Sequence, residues 1–451
     1  MVVTNLILSR KNNSLTKTGI ILSYACLSFL SNMNSKLIIY IFYILLLSSC
    51  TSCKDEIVDN NVFWKNRICG DDLIGCMGLG YPIYKNTVVF HSTPIPGDND
   101  ENSIIYGLDT ETGKEKWRLT NQDFAPKKDL QFDNVDYYYQ NENIFVGADF
   151  FVNQTDEHFV YAIDIDAGKV LWVKELPSGY TEMGRIVRGS GKYAYIDAAD
   201  RYSHFSLLRV NIETGELSDI LDISNSDLPL SLQQFKPSFR ICTFSDVYKN
   251  SMGDEFIALS LNGASDNRKP FLMSLFVYNL TKQQKAYTIP VACEDSLHDG
   301  NYGRIYYHQG KLIIGKGNEV LCFDAYENKG TYWKYFFGKD GNDFAMQVFG
   351  YDNLALGFTV DRLFAFDINT GVKLYDVPAA GSNSANIIDG IIYQREHSDL
   401  QMRDPRTGKE LKRIATGENE QAFSGSRPNG ANGKIFIHSY TDAYCIKAWG
   451  K

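Results

Sequence analysis

Several common signatures are missing from this chain of 451 residues. Its seven histidines are scattered, with no His-Glu-x-x-His and no Gly-x-Ser-x-Gly, so the usual zinc-hydrolase and serine-hydrolase patterns are absent. Basic residues are outnumbered, 45 against 54 acidic ones, for a net charge of −9. That balance disfavours a nucleic-acid partner, whose phosphates reward basic patches, and a polybasic grip on anionic lipid. No apolar run reaches the length of a membrane-spanning helix.

The longest apolar run sits near the start and has a different meaning. Met33-Asn34-Ser35-Lys36 precedes Leu37 to Leu47, a charged segment and an apolar core of signal-peptide length. It runs into Leu47-Ser48-Ser49-Cys50, which resembles a bacterial lipobox with Cys50 as the lipidated residue. Residues 1–49 are therefore expected to be a leader, with Met33 the true start or the whole an extended signal. Residues 50–60 are expected to be a lipidated tether, and 61–451 the folded domain. Loss of the leader removes Arg10, Lys11, Lys17 and Lys36 and no acid, taking the charge from −9 to −13. Lys54-Asp55-Glu56 resembles the export signal of Bacteroidota surface lipoproteins, and equally reads as a solvated linker.

With Cys50 taken as the anchor, the remaining cysteines have no Cys-x-x-Cys spacing for zinc. Cys69 and Cys76, either side of a Gly-bearing loop, could close a small disulfide in an oxidising compartment or remain free thiols. Cys322 and Cys445 lie in apolar strand patterns and read as buried fillers.

A repeated phrase organises the domain. Ile105 to Trp117 and Val160 to Trp172 each give an alternating strand, an Asp, a Thr-Gly or Ala-Gly turn, and a strand with Trp. Its key positions are Asp109, Gly113 and Trp117, then Asp164, Gly168 and Trp172. Decayed copies bring Gly215, Asp324, Trp333, Asp367, Gly371, Asp404 and Gly408 to equivalent places. Counted at 109, 164, 211, 279, 324, 367, 404 and 447, the repeats lie 37 to 68 residues apart. Alternation buries every second side chain, the glycine permits a tight turn, and the Trp is a plate to wedge between sheets. Each unit cannot bury both its faces alone, so the expectation is an all-β, eight-bladed β-propeller of four-stranded antiparallel blades. The last repeat ends without its Trp strand. Asn61 to Arg67, with Trp64, matches that missing strand, so the N-terminal segment is expected to close the last blade and abolish the open edges.

The phrase resembles the Tyr-x-Leu-Asp-x-x-Thr-Gly-Lys-x-x-Trp repeat of the quinoprotein alcohol dehydrogenase-like, or PQQ-like, β-propeller superfamily. That superfamily includes pyrroloquinoline quinone enzymes and cofactor-free scaffolds such as the outer-membrane assembly lipoprotein BamB. The resemblance implies, for the enzymes, an adjacent cysteine pair, calcium-binding carboxylates and a catalytic Asp. No two cysteines adjoin here. The expectation is a monomeric, non-enzymatic outer-membrane lipoprotein that binds a protein partner as BamB does, with no catalytic, cofactor-binding or metal residues. A surface module binding glycan is the alternative, and a quinone-dependent dehydrogenase the third reading.

Other features divide between function and packing. Asp98-Asn99-Asp100-Glu101-Asn102 offers oxygen ligands without the glycine or terminal Glu of a calcium loop, and Asp340-Gly341-Asn342-Asp343 is shorter still, so both read as solvated connecting loops. Asp295-Ser296-Leu297 resembles a Bacteroidota O-glycosylation site. Tyr137-Tyr138-Tyr139, Tyr306-Tyr307 and Tyr332 to Phe337 suit either ligand stacking or interblade packing. The segment 224–253 is the largest departure from the period and the first place to seek a docking loop. Metabolic labelling with an alkynyl fatty acid should mark the native chain and not Cys50→Ala; equal labelling of both removes the lipid anchor.

Overall fold

A computed structural model describes residues 61–68, 81–92, 104–124, 138–148, 159–176, 180–200, 205–223, 240–263, 271–295, 304–316, 319–337, 347–359, 361–379, 385–396, 399–414, 423, 427–439 and 442–450. The leader and tether, Cys50, Cys69, Cys76, both acidic loops, Ser296 and residues 224–239 lie outside the described residues. Among those described, no helix is long and apolar enough to cross a membrane.

Eight antiparallel sheets follow one another along the chain. Blade 1 is Ile83–Tyr84, Thr87–Ser92, Ile104–Asp109 and Glu115–Thr120; blade 2 is Tyr139–Asn141, Ile144–Ala148, Phe159–Asp164 and Lys169–Glu175. Blade 3 is Tyr180–Ser190, Tyr193–Asp200, Phe205–Asn211 and Leu217–Ile223. Blade 5 is Arg304–His308, Lys311–Lys316, Glu319–Asp324 and Thr331–Phe336; blade 6 is Gln347–Tyr351, Leu354–Phe358, Arg362–Asp367 and Lys373–Pro378. Blade 7 is Asn386–Ile388, Ile391–Glu396, Asp399–Arg403 and Glu410–Ile414. Blade 8 takes Asn429–Ala431, Lys434–His438 and Asp442–Lys447 from the end of the chain and Val62–Arg67 from its beginning, with Trp64 opposite Cys445.

Blade 4 departs from the four-strand plan. Its first strand is split into Arg240–Phe244 and Tyr248–Lys249, both paired with Glu255–Gly263, followed by Phe271–Asn279 and Gln284–Asp295. Phe244 faces Leu259 and Tyr248 faces Phe256, so the inner strand carries one residue more than its partner, a β-bulge. The Ser245 hydroxyl accepts the Ala258 N–H at 3.0 Å and repairs the ladder there. Part of the long connector after the third repeat is thus the innermost strand of blade 4.

Strand alternation splits the apolar side chains between the two faces of each blade. Eight apolar clusters result, one between each pair of neighbours. In blade 2, Phe159, Tyr161 and Ile163 pack on blade 1, while Val160 and Ala162 pack on blade 3. The ring closes where Trp64, Phe436 and Cys445 of blade 8 meet Val88, Phe90 and Leu108 of blade 1.

The repeated phrase is a joint between blades. The indole N–H of Trp64 donates to the Thr110 carbonyl at 3.1 Å, Trp117 to Ile165 at 2.9 Å, Trp172 to Ile212 at 2.8 Å and Trp333 to Ile368 at 2.8 Å. Each acceptor directly follows the Asp or Asn of the next blade's turn. The turn glycine lies under the ring: Gly113 under Trp64, Gly168 under Trp117, Gly215 under Trp172 and Gly371 under Trp333. Where Trp is missing, tyrosine does the same work. Tyr375 donates to the Pro405 carbonyl at 2.7 Å, with Gly408 against its ring, and Tyr248 donates to the Ala325 carbonyl at 2.7 Å. Between blades 3 and 4 the direction reverses, Tyr278 donating to the Ile220 carbonyl at 3.1 Å. Between blades 7 and 8 the Tyr393 hydroxyl accepts the Trp449 N–H at 2.9 Å. Cys322 and Cys445 are buried free thiols facing the same Ile368 and Thr110 carbonyls as the indoles.

The turn itself is held by the repeat carboxylate. Asp109 accepts the amides of Glu111 and Thr112, Asp164 those of Asp166 and Ala167, Asp324 those of Tyr326 and Glu327, Asp367 those of Asn369 and Thr370, and Asp404 that of Arg406. Asn211 fills the same role in blade 3. Foremost the Thr370 amide, then its hydroxyl, hold the Asp367 carboxyl below the usual range, with burial opposing.

Gly168 has φ +63 and an added Cβ would lie 2.2 Å from Trp117 Cγ, whereas Gly191, at φ +53, has nothing within 4 Å. In chemical denaturation Gly191→Ala should lose about 1–2 kcal/mol from backbone strain alone, and Gly168→Ala roughly 2–5 kcal/mol because overpacking is added. Equal losses would show that the joint carries no load. The depressed Asp367 carboxyl stabilises the fold above its unfolded pKa of about 3.9, and that contribution disappears as pH falls through the lower folded value. Asp367→Asn retains the acceptor oxygen and should show a shallower acid loss of stability below about pH 4; an unchanged slope rejects this assignment.

Candidate functional site

The first strand of each blade is the innermost, and one of its edges has no strand beside it. Unpaired backbone groups there are costly if buried, so a side chain from a neighbouring blade must supply the missing partner. Gln140 of blade 2 does so completely for Ile83 of blade 1, donating to its carbonyl at 2.7 Å and accepting its N–H at 3.2 Å. Gln347 of blade 6 clasps both backbone groups of Ala385 in the same way, at 2.8 and 3.0 Å. Asn386 donates to the Pro428 carbonyl at 3.0 Å and Asn429 to the Tyr81 carbonyl at 2.8 Å. Tyr139 donates to the Gly191 carbonyl at 2.7 Å, and His308 Nε2 lies 2.7 Å from the Asp352 carbonyl. Between blades 4 and 5 the rings of Tyr248 and Tyr307 stack with centroids 4.3 Å apart.

Inside this ring of clasps is a cavity of about 270 Å³, lined by first strands of blades 3 to 7 and by Arg427 ahead of blade 8. The bulge in blade 4 brings Asp246 to the lining, where its Oδ1 lies 3.0 Å from Arg188 Nε of blade 3. Tyr306 of blade 5 feels all the charges of the lining. Burial raises its phenol pKa first, Asp246 adds to this, and Arg427 and Arg188 oppose it. Tyr138 of blade 2 is likewise raised by burial and opposed by Arg427, and its hydroxyl accepts from Asn429 at 3.3 Å. Ile305, Val348, Phe349 and Ile387 form apolar walls.

None of the repeat residues singled out in the sequence reaches this cavity; all of them hold turns or joints. The aromatic runs divide: Tyr138, Tyr139, Tyr306 and Tyr307 stand near the channel, whereas Tyr332 and Phe336 are exposed on the outer strand of blade 5. Arg188, Asp246 and Arg427 carry no sequence signal, because no spacing joins residues of three blades. The pairing of Tyr81 with His438 Nδ1 across the seam has no sequence signal either, the partners being 357 positions apart. Gln140, Asn386 and Asn429, each ahead of a tight hairpin, were a readable signal.

The family model for the outer membrane protein assembly factor BamB matches residues 101–240. Residues 101–240 carry PQQ-like repeats. No curated protein matches it by sequence. BamB from Moraxella catarrhalis is similar in structure, with a TM-score of 0.51 and 13% identity over 86% of this chain and 99% of that one. The quinohemoprotein alcohol dehydrogenase ADHIIG from Pseudomonas putida HK5 has a TM-score of 0.54 and 10% identity over 88% of this chain and 78% of that one. Sqt1 from Saccharomyces cerevisiae has a TM-score of 0.53 and 12% identity over 86% and 99%. At these identities the likeness is one of fold.

The propeller can be tested for the quinone and calcium that the quinone-dependent enzymes of similar fold hold. Among the described residues its cavity lining offers one carboxylate, Asp246, already opposite Arg188. Among the described residues no three of His, Cys, Asp and Glu converge as metal ligands. The described donor set does not fit a calcium-bound quinone.

Proposed function

We propose that this protein is a non-enzymatic, lipid-anchored scaffold of the bacterial outer envelope that docks a protein partner, in a role like that of BamB in outer-membrane protein assembly. The observation that carries this reading is the BamB family-model match over residues 101–240, which spans strands of blades 1, 2 and 3. A rigid ring supports it, because interblade joints fix the relative positions of all loops and preorganise a docking surface. The segment 224–239, between blades 3 and 4, is the first region to test for contact with that partner.

A second reading, a surface-displayed module binding glycan, draws on Lys54-Asp55-Glu56 after the proposed anchor Cys50. Crosslinking in intact native membranes, followed by capture of the tagged full-length chain and mass spectrometry, separates the two. Recovery of the central barrel-assembly protein supports the scaffold role, and deletion of 224–239 should reduce it. Recovery of a surface transporter complex, or of no protein, overturns it and favours the glycan reading.

A further inference from the structure

We propose that the rim of blade 8, at the face of the ring that carries the Asp and Gly turns, rests on the lipid bilayer through Phe63 and Trp449. This orientation builds on the lipid-anchor reading of Cys50. Amides that follow the repeat Asp bond to the first hairpin of the same blade, Thr110 to the Asn86 carbonyl at 3.0 Å, Ile165 to Asn143 at 2.8 Å and Ile368 to Asn353 at 2.9 Å. Both kinds of turn therefore share one face. Ala448 makes the same bond to the Gly433 carbonyl at 2.9 Å, and the Lys447 N–H donates to the Asn61 carbonyl at 2.6 Å, so the N-terminal strand enters blade 8 at this face. Ten residues separate Cys50 from Asn61. Fully extended, that stretch spans no more than about 40 Å, so a lipidated Cys50 holds this part of the ring beside the membrane.

Two large apolar side chains stand exposed where the tether joins. Phe63 is the extra residue of a bulge, because Val62 pairs with Ile446 and Trp64 with Cys445, and it is 52% exposed. A bulge re-aims a side chain out of the strand's alternation. Trp449 is 40% exposed, whereas Trp64, Trp117, Trp172 and Trp333 each hold an interblade joint. Neither Phe63 nor Trp449 belongs to the core clusters on the two sides of blade 8. Aromatic side chains of this kind settle at the boundary between headgroups and acyl chains. Lys447 is exposed beside them, and a lysine lays its stem on apolar surface while its ammonium reaches the phosphates. Lys434, with its Nζ 5.9 Å from the centre of the Phe63 ring, is paired with Glu111. Two aromatics alone are a weak grip, but the anchor presents them to the bilayer at a high effective concentration. Segment 224–239 joins Ile223 to Arg240 at the opposite face, so this orientation turns it away from the bilayer.

The test is quenching of tryptophan fluorescence by brominated lipid. The full-length chain is purified from its native membranes and reconstituted into vesicles of phosphatidylethanolamine and phosphatidylglycerol, with or without bromine on the acyl chains, then recovered by flotation. The native chain should float and lose fluorescence in the brominated vesicles. Trp449→Phe should float with most of that loss gone, and Phe63→Ser should show less of it than the native chain, with near-ultraviolet circular dichroism verifying both folds. A native chain that floats without quenching, or equal quenching in Trp449→Phe, overturns the lipid contact and leaves the anchor standing. A native chain that does not float overturns the anchor, and this orientation with it.

Discussion

The hydrogen bond from an aromatic tip in one blade to a backbone carbonyl in the next is the constraint on which this ring depends. A flat apolar interface between two sheets can slide, because dispersion and the hydrophobic effect have little direction. A directed N–H or O–H bond with an aromatic plate behind it fixes both spacing and register. The structure makes such a bond at seven of its eight interfaces, with Trp at four of them and Tyr at three, and at the eighth the Tyr393 hydroxyl accepts a backbone N–H instead. The turn glycine is the other half of the joint, since any side chain there would displace the ring. That is why Asp, Gly and Trp recur together: the carboxylate shapes the turn, the glycine admits the plate, and the plate finds the carbonyl presented by the turn.

Closure follows from the same joint. Trp64 on the N-terminal strand reaches the Thr110 carbonyl of blade 1 as Trp117 reaches Ile165 in blade 2, so the seam resembles the interfaces on either side. Blade 8 is completed by the beginning of the chain, and separating it requires loss of both its strand pairing and this joint. A second set of bonds does the corresponding work at the inner rim. There the short first strands would leave backbone groups unpaired, and Gln140, Gln347, Asn386 and Asn429 satisfy them from the neighbouring blade. Outer joints and inner clasps together hold the channel to one diameter, and the charged lining of the cavity is positioned as a consequence.

Blade 4 shows how the regular plan is locally modified. One extra residue between Phe244 and Tyr248 interrupts the ladder, Ser245 restores a hydrogen bond, and Asp246 is delivered to the channel beside Arg188. The sequence signalled something unusual in this region through the length of 224–253. It did not reveal a bulge, because Ser-Asp-Val between two short strands is an ordinary loop composition. A docking segment and an irregular inner strand leave similar traces when each is seen only as added length.

Repetition made the architecture legible from sequence alone. Asp109, Gly113 and Trp117, echoed at Asp164, Gly168 and Trp172, report a local turn and the plate that follows it, and local chemistry is written in adjacent residues. Trp64 and the incomplete last repeat disclosed the seam for the same reason, since a missing strand at one end matched a spare one at the other. The clasps, the Tyr81 to His438 contact and the grouping of Arg188, Asp246 and Arg427 were decided by tertiary structure. These residues are far apart in the chain and belong to different blades. Ring closure brings their inner strands around one axis, and no periodicity in the sequence carries that convergence.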